Sequence, residues 1–219
     1  MSTVHVPAGP ATLAGELTIP PGARGIVLFA HGSGSSRFSS RNQFVARVLE
    51  QHGLATLLID LLTPEEEAID QRTAHLRFDI PMLANRLVAI VDWLKRNAST
   101  ATLPIGMFGA STGGGAALMT AAARPADVAA VVSRGGRPDL AGDALGKVRA
   151  PTLLIVGGED VPVIAMNKEA MRRMQNAVSL DIVPGATHLF EEPGALERVA
   201  ALAAAWFEGH LTRDPSRAG

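Results

Sequence analysis

Cysteine is absent from the 219-residue chain. Its absence excludes disulfide bonds, thiolate metal ligands and a cysteine nucleophile together. An excess of charge of either sign is also missing, since the formal net charge is only −1. We therefore expect neither nucleic acid nor an anionic membrane surface as a partner.

Long hydrophobic runs are missing as well. The longest span without a charged residue, 97–123, is interrupted by Pro104 and by a cluster of glycines, which is untypical of a membrane-spanning helix. The first ten residues lack the basic region and apolar run of a secretory signal, so we expect a cytoplasmic protein. The composition, 47% hydrophobic and 19% charged, is that of a globular protein, and the length predicts one domain over residues 1–219.

Apolar runs and amphipathic patterns alternate along the chain. Buried strands are predicted at 25–30, 55–60, 105–110, 128–133, 151–156 and 178–183, and helices at about 41–51, 79–96, 114–123, 161–176 and 194–210. This alternation predicts an α/β fold with a mostly parallel central sheet and helices on both faces. Residues 1–24 predict an antiparallel edge, because 12–19 alternate in polarity and 4–6 can pair with them.

The connections predict no separate lid domain. The longest irregular stretches, 61–77 and 134–150, are long enough only for short helices or loops. We expect an open site above the sheet, and we expect the last residues, 211–219, to form a disordered tail.

The pentapeptide Gly109-Ala110-Ser111-Thr112-Gly113 matches the G-x-S-x-G pattern of a nucleophile elbow. The pattern alone is weak evidence, but a strand is predicted directly before it and a helix directly after it. Such a sharp turn crowds the backbone, and glycines two residues to either side of the serine relieve that crowding. The free N–H groups at the start of the helix would face whatever the serine attacks. The pattern therefore predicts Ser111 as a nucleophile.

A serine nucleophile needs a base, and six histidines are available. Only His31 and His188 follow predicted strands, whose carboxyl ends carry the functional groups in an open sheet. His31 lies on a glycine-rich loop, where a histidine more often braces its own loop. The chain order of serine, acid and histidine favours His188 as the base.

The base in turn needs a carboxylate to orient it. Asp160 directly follows a predicted strand, and its neighbour Glu159 is the first alternative. We favour Asp160 because its shorter side chain is held more firmly by the backbone. Asp60 also ends a strand, but it precedes Ser111 and so breaks the expected chain order. We therefore expect Asp60 to accept hydrogen bonds from loop N–H groups.

Residues 31–36, His-Gly-Ser-Gly-Ser-Ser, form a loop after a strand, and two interpretations of it remain open. Gly32 and Gly34 resemble the start of a dinucleotide-binding fingerprint, although Arg37 stands where the third glycine belongs. The alternative is a loop that lends a backbone N–H group to an oxyanion hole.

Ser111, Asp160 and His188, with His-Gly-Ser-Gly upstream, resemble the α/β-hydrolase superfamily from about residue 25 to the last helix. The loop His-Gly-Ser-Gly-Ser-Ser-Arg and the compact chain are similar to dienelactone hydrolase-like proteins. The resemblance implies an oxyanion hole made by the N–H groups of Ser33 and Thr112. Dienelactone hydrolases proper carry cysteine in the elbow, so the resemblance implies the fold rather than a dienelactone substrate.

These patterns together predict a serine hydrolase that cleaves a small soluble ester or lactone through an acyl-enzyme, without metal or cofactor. A thioesterase or amidase on the same triad, and a non-catalytic binding module, are the alternatives, and the oligomeric state stays open. His31, Arg37, Arg41 and Arg134 are candidate substrate-binding residues. One of the arginines is a candidate to bind a substrate carboxylate.

Overall fold

The computed structural model describes residues 1–211. The strands are β1 (Ser2–Ala8), β2 (Ala11–Thr18), β3 (Ile26–Ala30), β4 (Ala55–Ile59), β5 (Ile105–Ala110), β6 (Val128–Arg134), β7 (Thr152–Gly157) and β8 (Val178–Val183). The helices are α1 (Ser40–Gln51), α2 (Pro64–Thr73), α3 (Ile80–Arg96), α4 (Thr112–Ala123), α5 (Val161–Arg173) and α6 (Ala195–His210). Two 3₁₀ segments span Leu76–Phe78 and Pro138–Lys147.

All eight strands form one sheet in the order β1-β2-β4-β3-β5-β6-β7-β8. β1 pairs antiparallel with β2, and β2 pairs antiparallel with β4, while the other neighbours are parallel. The sheet therefore has the predicted antiparallel N-terminal edge. The direction of winding reverses between β3 and β5, and in open α/β sheets a reversal of this kind opens a crevice for ligands.

Helices cover both faces of the sheet. Side chains of successive strand residues point to opposite sides, so each buried strand contributes apolar residues to both faces. Ile26 and Leu28 of β3 join the core beneath α3 and α4, whereas Val27 and Phe29 join the core beneath α1 and α6. The central strands are buried throughout, which explains why their sequences are continuous apolar runs.

Side-chain caps form the starts of α1, α2 and α3. Ser39 accepts a hydrogen bond from the Asn42 N–H at the start of α1. Thr63 and Glu66 form a reciprocal capping box at α2, whose first turn carries three glutamates. No separate lid domain is present within residues 1–211, since 61–77 fold into α2 and a 3₁₀ turn.

Most predicted boundaries of helices and buried strands lie within two residues of those in the structure, and the end of α5 differs by three. α5 ends at Arg173 rather than at residue 176, because the Asn176 side chain donates to Ala150 O and Thr152 Oγ1 and leads the chain into β8. Of the predicted tail, only Leu211 belongs to the described residues, and it is buried. The remainder of that prediction, 212–219, lies outside them. In the described part of the chain, no helix combines the length and the apolar character needed to cross a membrane.

Candidate functional site

The loops that follow β3, β5, β6, β7 and β8 meet at the carboxyl edge of the sheet. The loops after β3, β5, β6 and β8, together with side chains of α1 and α5, line a cleft with a volume of about 430 Å³. This volume lies in the range of small-molecule sites. Ser111, His188, Arg41 and Arg134 line the cleft, with apolar surface from Met166 and Leu189.

Ser111 stands at the tip of the turn between β5 and α4. Its φ of 51° and ψ of −123° lie in a region that non-glycine residues rarely adopt. Its N–H donates to Arg134 O (3.2 Å), and its carbonyl accepts from the N–H groups of Gly114 and Arg137 (3.0 Å each). These three bonds hold the strained turn in place.

Gly109 and Gly113 are required by the close approach of backbone around the turn. A Cβ on Gly109 would lie 2.6 Å from Gly113 O, and a Cβ on Gly113 would overlap Ala30 O and lie 2.6 Å from His31 O. The first contact is with the following helix, as expected. The second is with the loop after β3, so Gly113 also lets that loop come close to Ser111.

His188 and Asp160 meet across the loops that follow β8 and β7. His188 Nδ1 lies 2.6 Å from Asp160 Oδ2, which directs Nε2 of the ring away from the acid. The alternative acid, Glu159, is exposed. Within residues 1–211 the structure records no hydrogen bond between the Ser111 hydroxyl and His188, although both line the cleft. In resting hydrolases this contact is often long and tightens when substrate binds.

The histidine loop is tied to its neighbours at several points. A Cβ on Gly157 would overlap Ala186 O, so the β7 and β8 loops are in backbone contact. Thr187 donates to Glu192 through its hydroxyl (2.6 Å) and its N–H (3.0 Å), and these bonds lower the pKa of the Glu192 carboxyl. Phe190, fully buried at a φ of 57°, anchors the loop from below.

Asp60 binds Arg37, which follows the loop after β3, and so holds that loop in place. One of its carboxylate oxygens accepts from the Arg37 N–H (2.7 Å), and the other pairs with the Arg37 guanidinium. The Arg37 side chain also lies over the Phe38 ring. Because this arginine is held by Asp60 and does not line the cleft, the structure argues against its predicted role in substrate binding.

His31 is buried, and both of its ring nitrogens bind backbone. Nε2 accepts from the Leu61 N–H (3.0 Å), and Nδ1–H donates to Gly32 O (2.9 Å). This pattern fits the neutral ring, and burial lowers the pKa of His31. His31 therefore fits the loop-bracing interpretation, and it has no free nitrogen with which to bind substrate.

Leu61, which binds His31, is also bound by Arg86 of α3. Arg86 donates to Leu61 O (2.6 Å) and pairs with both oxygens of Glu66 (2.5 and 2.6 Å). Arg86 is buried, and this pair lowers the pKa of Glu66. The loop after β3 is thereby connected through His31 and Leu61 to α3.

The predicted oxyanion donors differ in their availability. Thr112 is the first residue of α4, where an N–H has no acceptor within the helix. The Ser33 N–H instead donates to Thr112 Oγ1 at 2.9 Å. This bond was not predicted, and it gives Ser33 an acceptor before any substrate arrives.

The remaining arginine candidates both line the cleft. Arg41 reaches outward to Glu191 (3.2 Å), whereas Arg134 is buried and has no ion-pair partner within residues 1–211. Sequence reasoning missed Arg137, which also lines the cleft and pairs with Asp139. Its position three residues after the end of β6 was the available signal.

Comparisons with known proteins cover nearly the whole chain. The sequence profile of the dienelactone hydrolase family matches residues 13–209. The crystal structure of a dienelactone hydrolase from Anabaena variabilis is 65% identical with a TM-score of 0.95, over 96% of this chain and 97% of that one. Est1E from Butyrivibrio proteoclasticus, at 18% identity and a TM-score of 0.79, covers 95% of this chain and 98% of its own and shares the fold.

Two relatives from strains of Mycobacterium tuberculosis, provisionally named phosphoribosyl transferases, are each 60% identical over 208 residues. That match covers 95% of this chain but 46% of theirs, so the chain spans about half the length of these relatives. The family profile, the close structural likeness and the sheet order agree with the resemblance that the motifs carry. The chain belongs to the dienelactone hydrolase family, and its fold is that of the α/β-hydrolases.

Proposed function

We propose that this protein is a serine hydrolase in which Ser111 is the nucleophile, His188 the base and Asp160 the orienting acid. The observation that carries the proposal is the 2.6 Å contact between Asp160 and His188, formed beside a cleft that a strained elbow serine also lines. A carboxylate on one ring nitrogen leaves the other free to accept a proton.

In the proposed reaction, His188 Nε2 takes the proton of the Ser111 hydroxyl while Oγ forms a bond to the substrate carbonyl carbon. The tetrahedral oxyanion collapses, and the bond to the leaving oxygen breaks. The imidazolium returns its proton to that oxygen. Water then attacks the acyl-enzyme by the same route and releases the carboxylic acid.

The oxyanion would be stabilised by the Thr112 N–H at the start of α4, together with the Ser33 N–H. The substrate oxygen would compete with Thr112 Oγ1 for the Ser33 donor. The oxyanion would take the Ser33 N–H from Thr112 Oγ1, because an oxyanion is a stronger acceptor than a neutral hydroxyl.

The proposed substrates are small soluble esters or lactones. A volume of about 430 Å³ and the lack of a lid domain within residues 1–211 support a small, accessible substrate. The name of the A. variabilis protein supports a lactone. A thioester or an amide would use the same groups, and a panel of matched substrates separates these possibilities.

The name of the M. tuberculosis relatives suggests a different activity. We assign that transferase activity to the part of those proteins that this chain does not cover, since the matched part has the α/β-hydrolase fold. Phosphoribosyl transfer by the present chain would contradict this assignment.

The test is a fluorophosphonate probe combined with ester hydrolysis. The parent protein should be labelled and should hydrolyse p-nitrophenyl butyrate, whereas Ser111→Ala should lose the label and nearly all of the activity. A parent protein that is folded, unlabelled and inactive would favour a non-catalytic binding module. A Ser111→Ala variant as active as the parent would remove the proposed nucleophile.

A further inference from the structure

Arg134 is a buried arginine without a counter-charge. Only 7% of the residue is exposed, and its Nε and Nη1 atoms are buried with no hydrogen-bond partner in the described part of the chain. Arg37, Arg77 and Arg86, which are also largely buried, each pair with a carboxylate. The unpaired state of Arg134 is therefore exceptional among the buried arginines.

An unpaired buried cation is unfavourable, and its surroundings make it more so. Burial and the nearby charge of Arg41 lower the pKa of Arg134 to about 10, so the guanidinium is still charged at neutral pH. The Phe190 ring lies 6.0 Å away, at the outer limit of a cation–π contact, and accepts none of the guanidinium's hydrogen bonds. A charge kept under these conditions indicates a ligand that compensates it.

The position of Arg134 identifies where that ligand binds. Arg134 ends β6, is paired in register with Ala110, and accepts the N–H of Ser111 on its carbonyl. Its side chain lines the cleft beside Ser111. Within residues 1–211 the cleft lining includes three arginines and no carboxylate residue. Arg41 and Arg137 have partners in Glu191 and Asp139, which leaves Arg134 uncompensated.

We infer that Arg134 anchors an anionic group of the substrate, a carboxylate or a phosphate, inside the cleft beside Ser111. The planar guanidinium presents paired donors that match the oxygens of either group. The inference rests on the proposed function, because it makes the substrate an ester or lactone with a negatively charged substituent. Arg134 orients this substrate and takes no part in the bond-breaking steps.

Binding of simple anions tests the inference without any turnover. Calorimetric titration of glutarate, inorganic phosphate and neutral glutaramide into the parent protein should show binding of one or both anions and no binding of glutaramide. The stronger anion identifies the chemical group. Arg134→Met should weaken anion binding at least about 10-fold, the loss of one charge-assisted contact, and Arg134→Lys should have a smaller effect. Arg124→Met, which removes a half-buried arginine away from the cleft, is the matched control.

A kinetic comparison then connects the site to the substrate. The ratio of kcat/KM for the mono-p-nitrophenyl ester of glutaric acid to that for p-nitrophenyl butyrate should fall at least about 10-fold in Arg134→Met, mainly through KM. Glutarate should raise the melting temperature of the parent protein, and this measurement needs no variant. If no ester is hydrolysed, the proposed function fails while the titrations still test the anion site.

Urea denaturation distinguishes an anchor from a structural residue. Removal of an unpaired buried charge should leave the variant at least as stable as the parent, whereas loss of a structural arginine would destabilise it. An unchanged kinetic ratio, anion binding indifferent to Arg134, or no anion binding by the parent protein would each overturn the inference.

Discussion

Asp160→Asn is expected to reduce kcat by about three to four orders of magnitude. In the proposed reaction His188 takes the serine proton, and the 2.6 Å contact would place the carboxylate charge about 4 Å from the centre of the resulting imidazolium. At an effective dielectric constant of about 20, two charges at about that separation attract by roughly 4 kcal/mol. Loss of this attraction in the transition state corresponds to a rate decrease of about 10³.

The amide adds a second defect. Its NH₂ group can donate to Nδ1 of His188, which leaves the proton on Nε2 and removes the lone pair that must face Ser111. Loss of the correct tautomer explains losses near 10⁴ in other triads. Most of the effect should therefore appear in kcat rather than in KM.

The assay is steady-state hydrolysis of p-nitrophenyl butyrate, with fluorophosphonate labelling as a second readout. Glu159→Gln is the matched control, because it neutralises the adjacent carboxylate, which is exposed. Its kcat should stay within about threefold of the parent, as expected for an exposed charge. Equal losses in both variants, or a fully active Asp160→Asn, would refute the assignment of Asp160.

Two further predictions concern the parts that hold the elbow and its loops. Gly113→Ala should lower the free energy of unfolding by about 3 kcal/mol or more, because its Cβ meets backbone oxygens that cannot move aside. The control is Gly209→Ala, in α6 with open space around it, which should be neutral or stabilising. Equal urea denaturation midpoints for the two variants would contradict this reasoning. Burial lowers the pKa of His31, so below its ordinary value of 6.5 the unfolded chain binds a proton that the folded chain excludes. Stability should therefore fall with decreasing pH from about 6.5, by at most about 1.4 kcal/mol per unit. His31→Gln should flatten this slope in urea titrations between pH 7.5 and 5.5, and an identical slope in the variant would disprove the assignment.

The fold and the elbow could be predicted because their determinants are local. Gly109, Ser111 and Gly113 lie within five residues, and each buried strand is a continuous apolar run. Asp160 and His188 could be placed near Ser111 because the ends of parallel strands meet at one edge of a sheet.

The roles of the candidate arginines and the hydrogen bonds of the loop 31–36 could not be predicted in this way, because their partners are distant in the chain. Arg41 pairs with a residue 150 positions away, and Arg37 with one 23 positions away. Only packing decides which arginine meets a carboxylate and which remains unpaired. The bond from the Ser33 N–H to Thr112 Oγ1 likewise joins residues 79 apart, and no local pattern indicates it.

The tie from α3 through Arg86 and Leu61 to His31 has a practical consequence for engineering. Arg86, Leu61 and His31 do not line the cleft, yet their replacement would shift the loop that carries Ser33. A mutant library aimed at new substrates should vary Phe78, Met166 and Leu189 around the cleft and leave this path intact. The variants would then differ in the shape of the cleft rather than in the stability of the fold.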